Sequence, residues 1–311
     1  MAQKSKFDLI RHGIQSDFIQ VPYAIRISTR LRDIMNESGG KFSVRNLAVW
    51  GESGTGKTRL IQNFIEDFLP IAHVNYMEIP VLFVQIPSKV TIKALAGEIL
   101  REMGSEYWQY GDEVQKTYQL LTLLSACKVR LIILDEVNHL VDRGGVKTHY
   151  AVGDWIKQLG DKSGVPIAIF GTKSIERLLA ANEQLRGRYR EVIQIERFTA
   201  IDERIEDLQS LMKNYMAHFQ SIDTIDLTLQ SNAKMVAIAT DGRLREMKNL
   251  FVGALDLIES SSSQKVDRGV LARAFQKCIY RNASERRNPF HPKFNGLPLT
   301  GHGEPYAPGA N

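Results

Sequence analysis

Residues Gly51-Glu52-Ser53-Gly54-Thr55-Gly56-Lys57-Thr58 match the pattern G-x-x-x-x-G-K-[ST] in full, and this stretch constrains the fold more than any other. The apolar run Leu47-Ala48-Val49-Trp50 before it reads as a buried strand, and Lys57 to about Phe68 reads as a helix. A glycine loop between strand and helix lets the backbone bend so that successive N–H groups point at anionic oxygens. The helix N-terminus adds its positive end. The candidate nucleotide-binding residues are Gly51, Ser53, Gly54, Thr55, Gly56, Lys57, Thr58 and the flanking Arg59. Lys57 suits the β- and γ-phosphates and the Thr58 hydroxyl suits Mg²⁺, so the expected ligands are ATP and Mg²⁺.

A second element points to hydrolysis. Leu131-Ile132-Ile133-Leu134-Asp135-Glu136 is four aliphatic residues running into two carboxylates. Asp135 suits the metal and Glu136 suits a general base that activates a water. A solvated acidic turn is the alternative for such a pair. The run Pro166-Ile167-Ala168-Ile169-Phe170 delivers Gly171-Thr172, where Thr172 would lie between the two strands that carry the loop and the acids. Gln85, near another strand end, is a candidate to restrain Glu136.

Short aliphatic runs recur at Val81–Ile86, Val129–Leu134, Val165–Phe170 and Val192–Ile195, with helical patterns between them. Buried runs alternating with amphipathic helices predict a parallel five-stranded sheet covered by helices, over residues 43–200. The strands then stop. Helical patterns at Asp202–Phe219, Leu229–Thr240, Arg243–Glu259 and Val266–Tyr280 predict a smaller all-helical lid over 201–280. Residues 1–42 read as an N-terminal arm whose helix, Tyr23–Met35, packs on the next domain. Residues 281–311 hold five of the ten prolines and little apolar periodicity, which predicts a flexible tail.

Two arginine clusters stand out. Gln184-Leu185-Arg186-Gly187-Arg188-Tyr189-Arg190 precedes the fifth strand, and an arginine that completes a neighbour's active site must be presented on such a rigid edge. Arg188 is the first candidate and Arg186 the second; a generic basic loop is the plainer reading. Gly242-Arg243-Leu244-Arg245 opens a helix, from which Arg245 could reach the phosphates. The two cysteines, Cys127 and Cys278, are far apart and lack metal-ligand spacing, so a reducing cytosol is the expected compartment. No apolar run approaches the ~20 residues a membrane helix needs, and no membrane partner is expected.

In order, the phosphate loop, the Asp-Glu strand, the polar strand tip, the arginine box and the Gly-x-x-Arg resemble an AAA+ ATPase. Gly153-Asp154-Trp155-Ile156-Lys157, Pro166–Thr172, Gln184–Tyr189 and Asp135-Glu136-Val137-Asn138-His139-Leu140 are similar to the TniB/TnsC group of transposition regulators. Asn288-Pro289-Phe290 also occurs in a tail similar to those of some Tn7-like members. The resemblance implies a regulatory ATPase of the bacterial cytosol that assembles on double-stranded DNA. Its assemblies would be rings or helical filaments of roughly six to seven subunits per turn. It would link a target-selection factor to a transposase. It also implies that Lys57, Thr58, Asp135, Glu136, Thr172 and Arg245 act within one subunit while Arg188 acts on its neighbour.

The net charge of +5 fits an acidic partner. Lys89 and Lys93 follow the second strand, and Arg143 and Lys147 follow the Asp-Glu strand, so both groups emerge at one sheet edge. As isolated loops they read as solvated surface; with the resemblance they become the candidate DNA contacts, touching phosphates without reading bases. The alternatives are a nucleotide-controlled scaffold or signalling ATPase that does not bind DNA, and an initiator- or clamp-loader-type AAA+ protein.

Overall fold

The first residues form two helices, α1 (Lys6–Ser16) and α2 (Pro22–Asn36), that part company at Pro22. The computed structural model describes residues 5–37, 45–87, 91–142, 146–181, 183–199, 204–261 and 265–308. It groups the chain into an α/β unit (Tyr23–Ser53 and Lys57–Ile195) and a helical unit (Met1–Pro22, Gly54–Gly56 and Glu196–Asn311). A single arm over residues 1–42 is therefore not what forms. Within the α/β unit, α2 buries Ala24, Ile27, Leu31, Ile34 and Met35 and sends Arg30 to Glu191 at 2.5 Å. Within the helical unit, α1 buries Ile10 and Ile14, and Arg11 reaches Asp256 at 3.0 Å and Glu259 at 2.7 Å. Pro22 supplies the physical break: it donates no backbone hydrogen bond and its ring presets the first turn of a new helix.

All five aliphatic runs form strands of one sheet. These are β1 (Leu47–Gly51), β4 (Val81–Gln85), β5 (Leu131–Asp135), β6 (Ile167–Gly171) and β7 (Glu191–Ile195), with a two-residue hairpin, β2 (Ile71–Ala72) and β3 (Met77–Glu78), standing apart. The sheet order is β4-β5-β6-β1-β7 and every ladder in it is parallel. Register pairs Val49 with Phe170 on one side and with Ile193 on the other. Every residue of β1, β5 and β6 is buried, as expected where helices cover both faces. Those helices are α3 (Lys57–Glu66), α4 (Ile92–Glu102), α5 (Glu113–Ala126), α6 (Asn138–Asp142), α7 (Val146–Ser163), α8 (Ser174–Ala181) and α9 (Glu183–Arg188). Because the strands run the same way, the loops after β1, β5 and β6 all emerge at one edge. The strand β6 lies between β1 and β5, where the sequence suggested its tip would be.

The helical unit contains α10 (Ile205–His218), α11 (Gln230–Thr240), α12 (Leu244–Glu259) and α13 (Arg268–Cys278), beside α1. A two-residue parallel bridge, β8 (Asp223–Thr224) with β9 (Lys265–Val266), accompanies the helices. Its core includes an aromatic cluster in which the Phe251 ring lies 4.8 Å from Tyr215 and 5.9 Å from Phe219, centroid to centroid.

The expected flexible tail is a correction. Residues 281–308 are ordered on the helical unit, with Phe290 and Leu299 buried and the Asn288 amide donating to Ala272 O at 3.0 Å. Proline-rich composition reports the absence of a helical or strand period. It does not exclude order where side chains satisfy each turn, as Asn288 does by accepting from Phe290 N at 3.1 Å. Among the described residues no helix is long and apolar enough to cross a membrane.

Candidate functional site

The loop between β1 and α3 turns on two glycines with left-handed backbone, Gly54 (φ 83°) and Gly56 (φ 91°), a conformation open to glycine at no steric cost. Lys57 is the first residue of α3. It is buried, and its ammonium donates to Gly51 O at 2.7 Å and Glu52 O at 2.9 Å, so its positive charge sits inside the mouth of the loop. The next residue, Thr58, donates its hydroxyl to Asp135 Oδ2 at 2.7 Å. That bond links the phosphate loop to the acidic end of β5, two strands away in the sheet.

Asp135 is fully buried, and its second oxygen accepts from Glu136 N at 2.8 Å. Burial pushes its carboxyl above the usual carboxylate range, against the hydrogen bonds from Thr58 and Glu136 N and the charge of Lys57. A hydroxyl and a carboxylate at hydrogen-bond distance beside a phosphate loop are the hard oxygen donors that Mg²⁺ takes, alongside phosphate oxygens and waters. The pair fits that ion. A divalent cation there would also favour the charged form of the buried acid.

Glu136 leaves the strand in a left-handed conformation, φ 58°, rare for a residue with a side chain. Its neighbours hold it there. Val137 N donates to Phe170 O at 2.9 Å and His139 N donates to Glu136 O at 3.0 Å, starting α6 immediately. Strained backbone of this kind clusters at sites where a side chain must be aimed. The side chain of Glu136 is half-buried.

At the tip of β6, the Thr172 hydroxyl pairs with the Ser174 hydroxyl at 3.0 Å. A Cβ on Gly171 would stand 2.9 Å from Asn138 Oδ1 and 3.1 Å from Asn138 N, so glycine is required for the β6 tip and the start of α6 to approach. The Asn138 oxygen is buried with no hydrogen-bond partner. Ser174, Asn138 and the left-handed Glu136 were not singled out from the sequence. The only signal available was the run of small and polar residues directly after each strand. Gln85 pairs in register with Asp135 and is exposed.

The remaining candidates are spread out. Arg188 ends α9 and pairs with Asp161 at 3.0 Å, while Arg186 and Arg190 are exposed. Arg245 belongs to the helical unit, and its backbone N–H donates to Gly54 O at 3.1 Å within that same grouping. Lys93 is exposed on α4. Lys89 and Arg143 lie outside the described residues, and Lys147 is described only as part of the first turn of α7.

A phosphate loop after β1, an acid pair after β5, and the order β4-β5-β6-β1-β7 define an AAA+ ATPase fold. Solved structures with that fold include Cdc6p from Pyrobaculum aerophilum, at a TM-score of 0.64 and 14% identity over 88% of this chain and 72% of that one. The Aeropyrum pernix ORC1 protein in complex with DNA gives a TM-score of 0.60 and 17% identity over 86% and 69%. Drosophila ORC bound to DNA gives 0.59 and 15% over 92% and 68%. A probable disease resistance protein of Arabidopsis thaliana is 24% identical over 178 residues, 57% of this chain, and the chain spans 17% of that protein's length. The family model described as bacterial TniB protein matches residues 10–200, which take in the whole α/β sheet. The chain belongs to the TniB family.

Proposed function

We propose that this protein hydrolyses ATP as a regulatory switch, assembles with copies of itself on double-stranded DNA while ATP is bound, and links a target-selection factor to a transposase. The observation that carries the reading is the Thr58–Asp135 hydrogen bond at 2.7 Å, which joins loop and acid in a chain of the TniB family. The backbone N–H groups of Gly54–Thr58 and the Lys57 ammonium would bind the phosphates. Thr58 and Asp135 would hold Mg²⁺, which when bound neutralises charge on the β- and γ-phosphates. Glu136 would take the proton of the attacking water, and Thr172 would orient that water or the γ-phosphate. Arg59 flanks the loop, and Arg245 would answer to the terminal phosphate. Arg188 would serve the site of the adjacent subunit. Support for DNA as the partner comes from the net charge of +5 and the exposed Lys93. Lys89, Arg143 and Lys147 would join Lys93 as phosphate contacts in the bacterial cytosol.

The test is negative-stain imaging of the protein with duplex DNA and a slowly hydrolysed ATP analogue, beside ADP, no-DNA and Lys57→Ala controls. Rings or filaments that require both ATP analogue and DNA, and that Lys57→Ala does not form, are expected. Assembly driven by nucleotide but indifferent to DNA would refute the DNA reading and favour a nucleotide-controlled scaffold.

A further inference from the structure

The turn between α11 and α12 is built from two consecutive left-handed residues, Asp241 (φ 50°) and Gly242 (φ 64°). A side chain on Gly242 would overlap the backbone oxygen of Phe198, and Phe198 N donates to Gly242 O at 3.1 Å. Such a turn is costly for Asp241 and needs outside support. Arg197 and Arg243 both pair with the Asp241 carboxylate, the latter at 3.1 Å. Two residues past Arg243, the Arg245 N–H bonds Gly54 O. A Cβ on Gly54 would lie 3.2 Å from the Arg245 Cβ, so the turn is applied closely to the glycines of the phosphate loop.

Tyr306, more than sixty residues downstream, closes over this turn. Its hydroxyl donates to Ala239 O at 2.8 Å, in the last turn of α11, and its ring lies 5.4 Å from the Arg243 guanidinium carbon. Burial pushes the Tyr306 hydroxyl well above its ordinary pKa, so it stays a donor. A clasp holds the tyrosine there. Arg287 makes a two-pronged ion pair with Glu304, Nη2 standing 2.6 Å from Oε2, and the same guanidinium donates to Asn295 Oδ1 at 2.9 Å and Pro298 O at 2.6 Å. Glu304 also accepts from Gly301 N at 2.8 Å, and Tyr306 N donates to the carbonyl of the buried Leu299 at 3.1 Å. Arginine and carboxylate in fork geometry give a defined closure rather than a loose contact.

We propose that Tyr306, held by the Arg287–Glu304 clasp, is a positioning residue for the turn that presents Arg245 to the phosphate loop, so that the C-terminal segment sets how strongly the protein distinguishes ATP from ADP. The inference rests on reading the loop as a nucleotide site. It gives a role to a stretch whose composition alone suggested a loose tail. Tyr306 acts through Arg243 and the turn and does not itself touch nucleotide.

The experiment measures equilibrium binding of fluorescent ATP and ADP analogues to the full chain and to three variants, Tyr306→Ala, Tyr306→Phe and Arg287→Lys. Expected for Tyr306→Ala is a loss of about fivefold in ATP affinity with ADP affinity unchanged, the size of one charge-assisted contact. Tyr306→Phe keeps the ring over Arg243 and should recover most of that loss. Arg287→Lys cannot grip both Glu304 oxygens and should fall between the two. Equal losses for ATP and ADP would mark a merely structural role and overturn the proposal. So would unchanged discrimination in all three variants while Lys57→Ala abolishes binding, which leaves the nucleotide reading standing. No binding by the unaltered protein would overturn that reading and the inference together. Should Tyr306→Ala fail to fold, the Tyr306→Phe and Arg287→Lys ratios decide alone.

Discussion

The left-handed backbone at Glu136 makes a prediction that is independent of any chemistry assigned to the side chain. At an ordinary helical site such as the exposed Gln62 in α3, alanine is more stable than glycine by about 1 kcal/mol. At φ 58° the order should invert. A side chain in this region costs about 1–2 kcal/mol, which glycine does not incur. Glycine returns about 0.4–1 kcal/mol of that through its freer unfolded chain. The net expectation is that Glu136→Gly is more stable than Glu136→Ala by roughly 0.5–1 kcal/mol, while Gln62→Gly is less stable than Gln62→Ala. Comparing the two truncations cancels whatever the glutamate side chain itself contributes. For an α/β unit of this size the difference is roughly 1–4 °C in thermal midpoint, within reach of differential scanning fluorimetry on nucleotide-free protein in chelator. An alanine variant at 136 equal to or more stable than the glycine variant would refute the claim that this residue stores backbone strain.

Three further outcomes follow from the site. Thr58→Val keeps the shape of the side chain but removes the hydroxyl shared with Asp135; turnover should fall about tenfold or more across a Mg²⁺ titration, and unchanged Mg²⁺ dependence would remove Thr58 from the metal site. Arg188→Ala mixed with Lys57→Ala should recover part of the ATPase activity that each lacks alone, and no recovery at any mixing ratio would count against a role on the neighbouring subunit. The Arg287 hydrogen bond holds the Glu304 carboxyl below its usual range, so its stabilisation is fully present above the unfolded pKa and is lost as pH falls through the lower folded value. The gap in denaturation midpoint between the unaltered protein and Glu304→Gln should therefore be constant above about pH 6 and shrink below about pH 4, and a gap that widens with acid would refute the assignment.

Much of the α/β unit was legible because its signals are local. Four to six aliphatic residues in a row, bounded by glycine or charge, can be little other than a strand buried on both faces, and all five such runs became strands within a residue or two of their expected ends. The phosphate loop was legible for the same reason: its glycines, lysine and threonine act through backbone geometry set within eight residues. The helices after residue 204 were read from their period. The split of the N-terminal arm was not legible, since α1 and α2 are both amphipathic and only their partners differ.

What the sequence determined by itself was therefore the parallel sheet, the loop that follows its first strand, and the acids that follow β5. Only tertiary structure decided that Thr58 meets Asp135, that Glu136 sits in left-handed backbone, and that Arg287 finds Glu304 so as to lay Tyr306 against Arg243. The physical reason is range. Periodicity and glycine loops report interactions among residues a few positions apart. The contacts that order the C-terminal segment and aim the acidic strand end join residues 17 to 77 positions apart, whose meeting depends on how whole helices and strands pack.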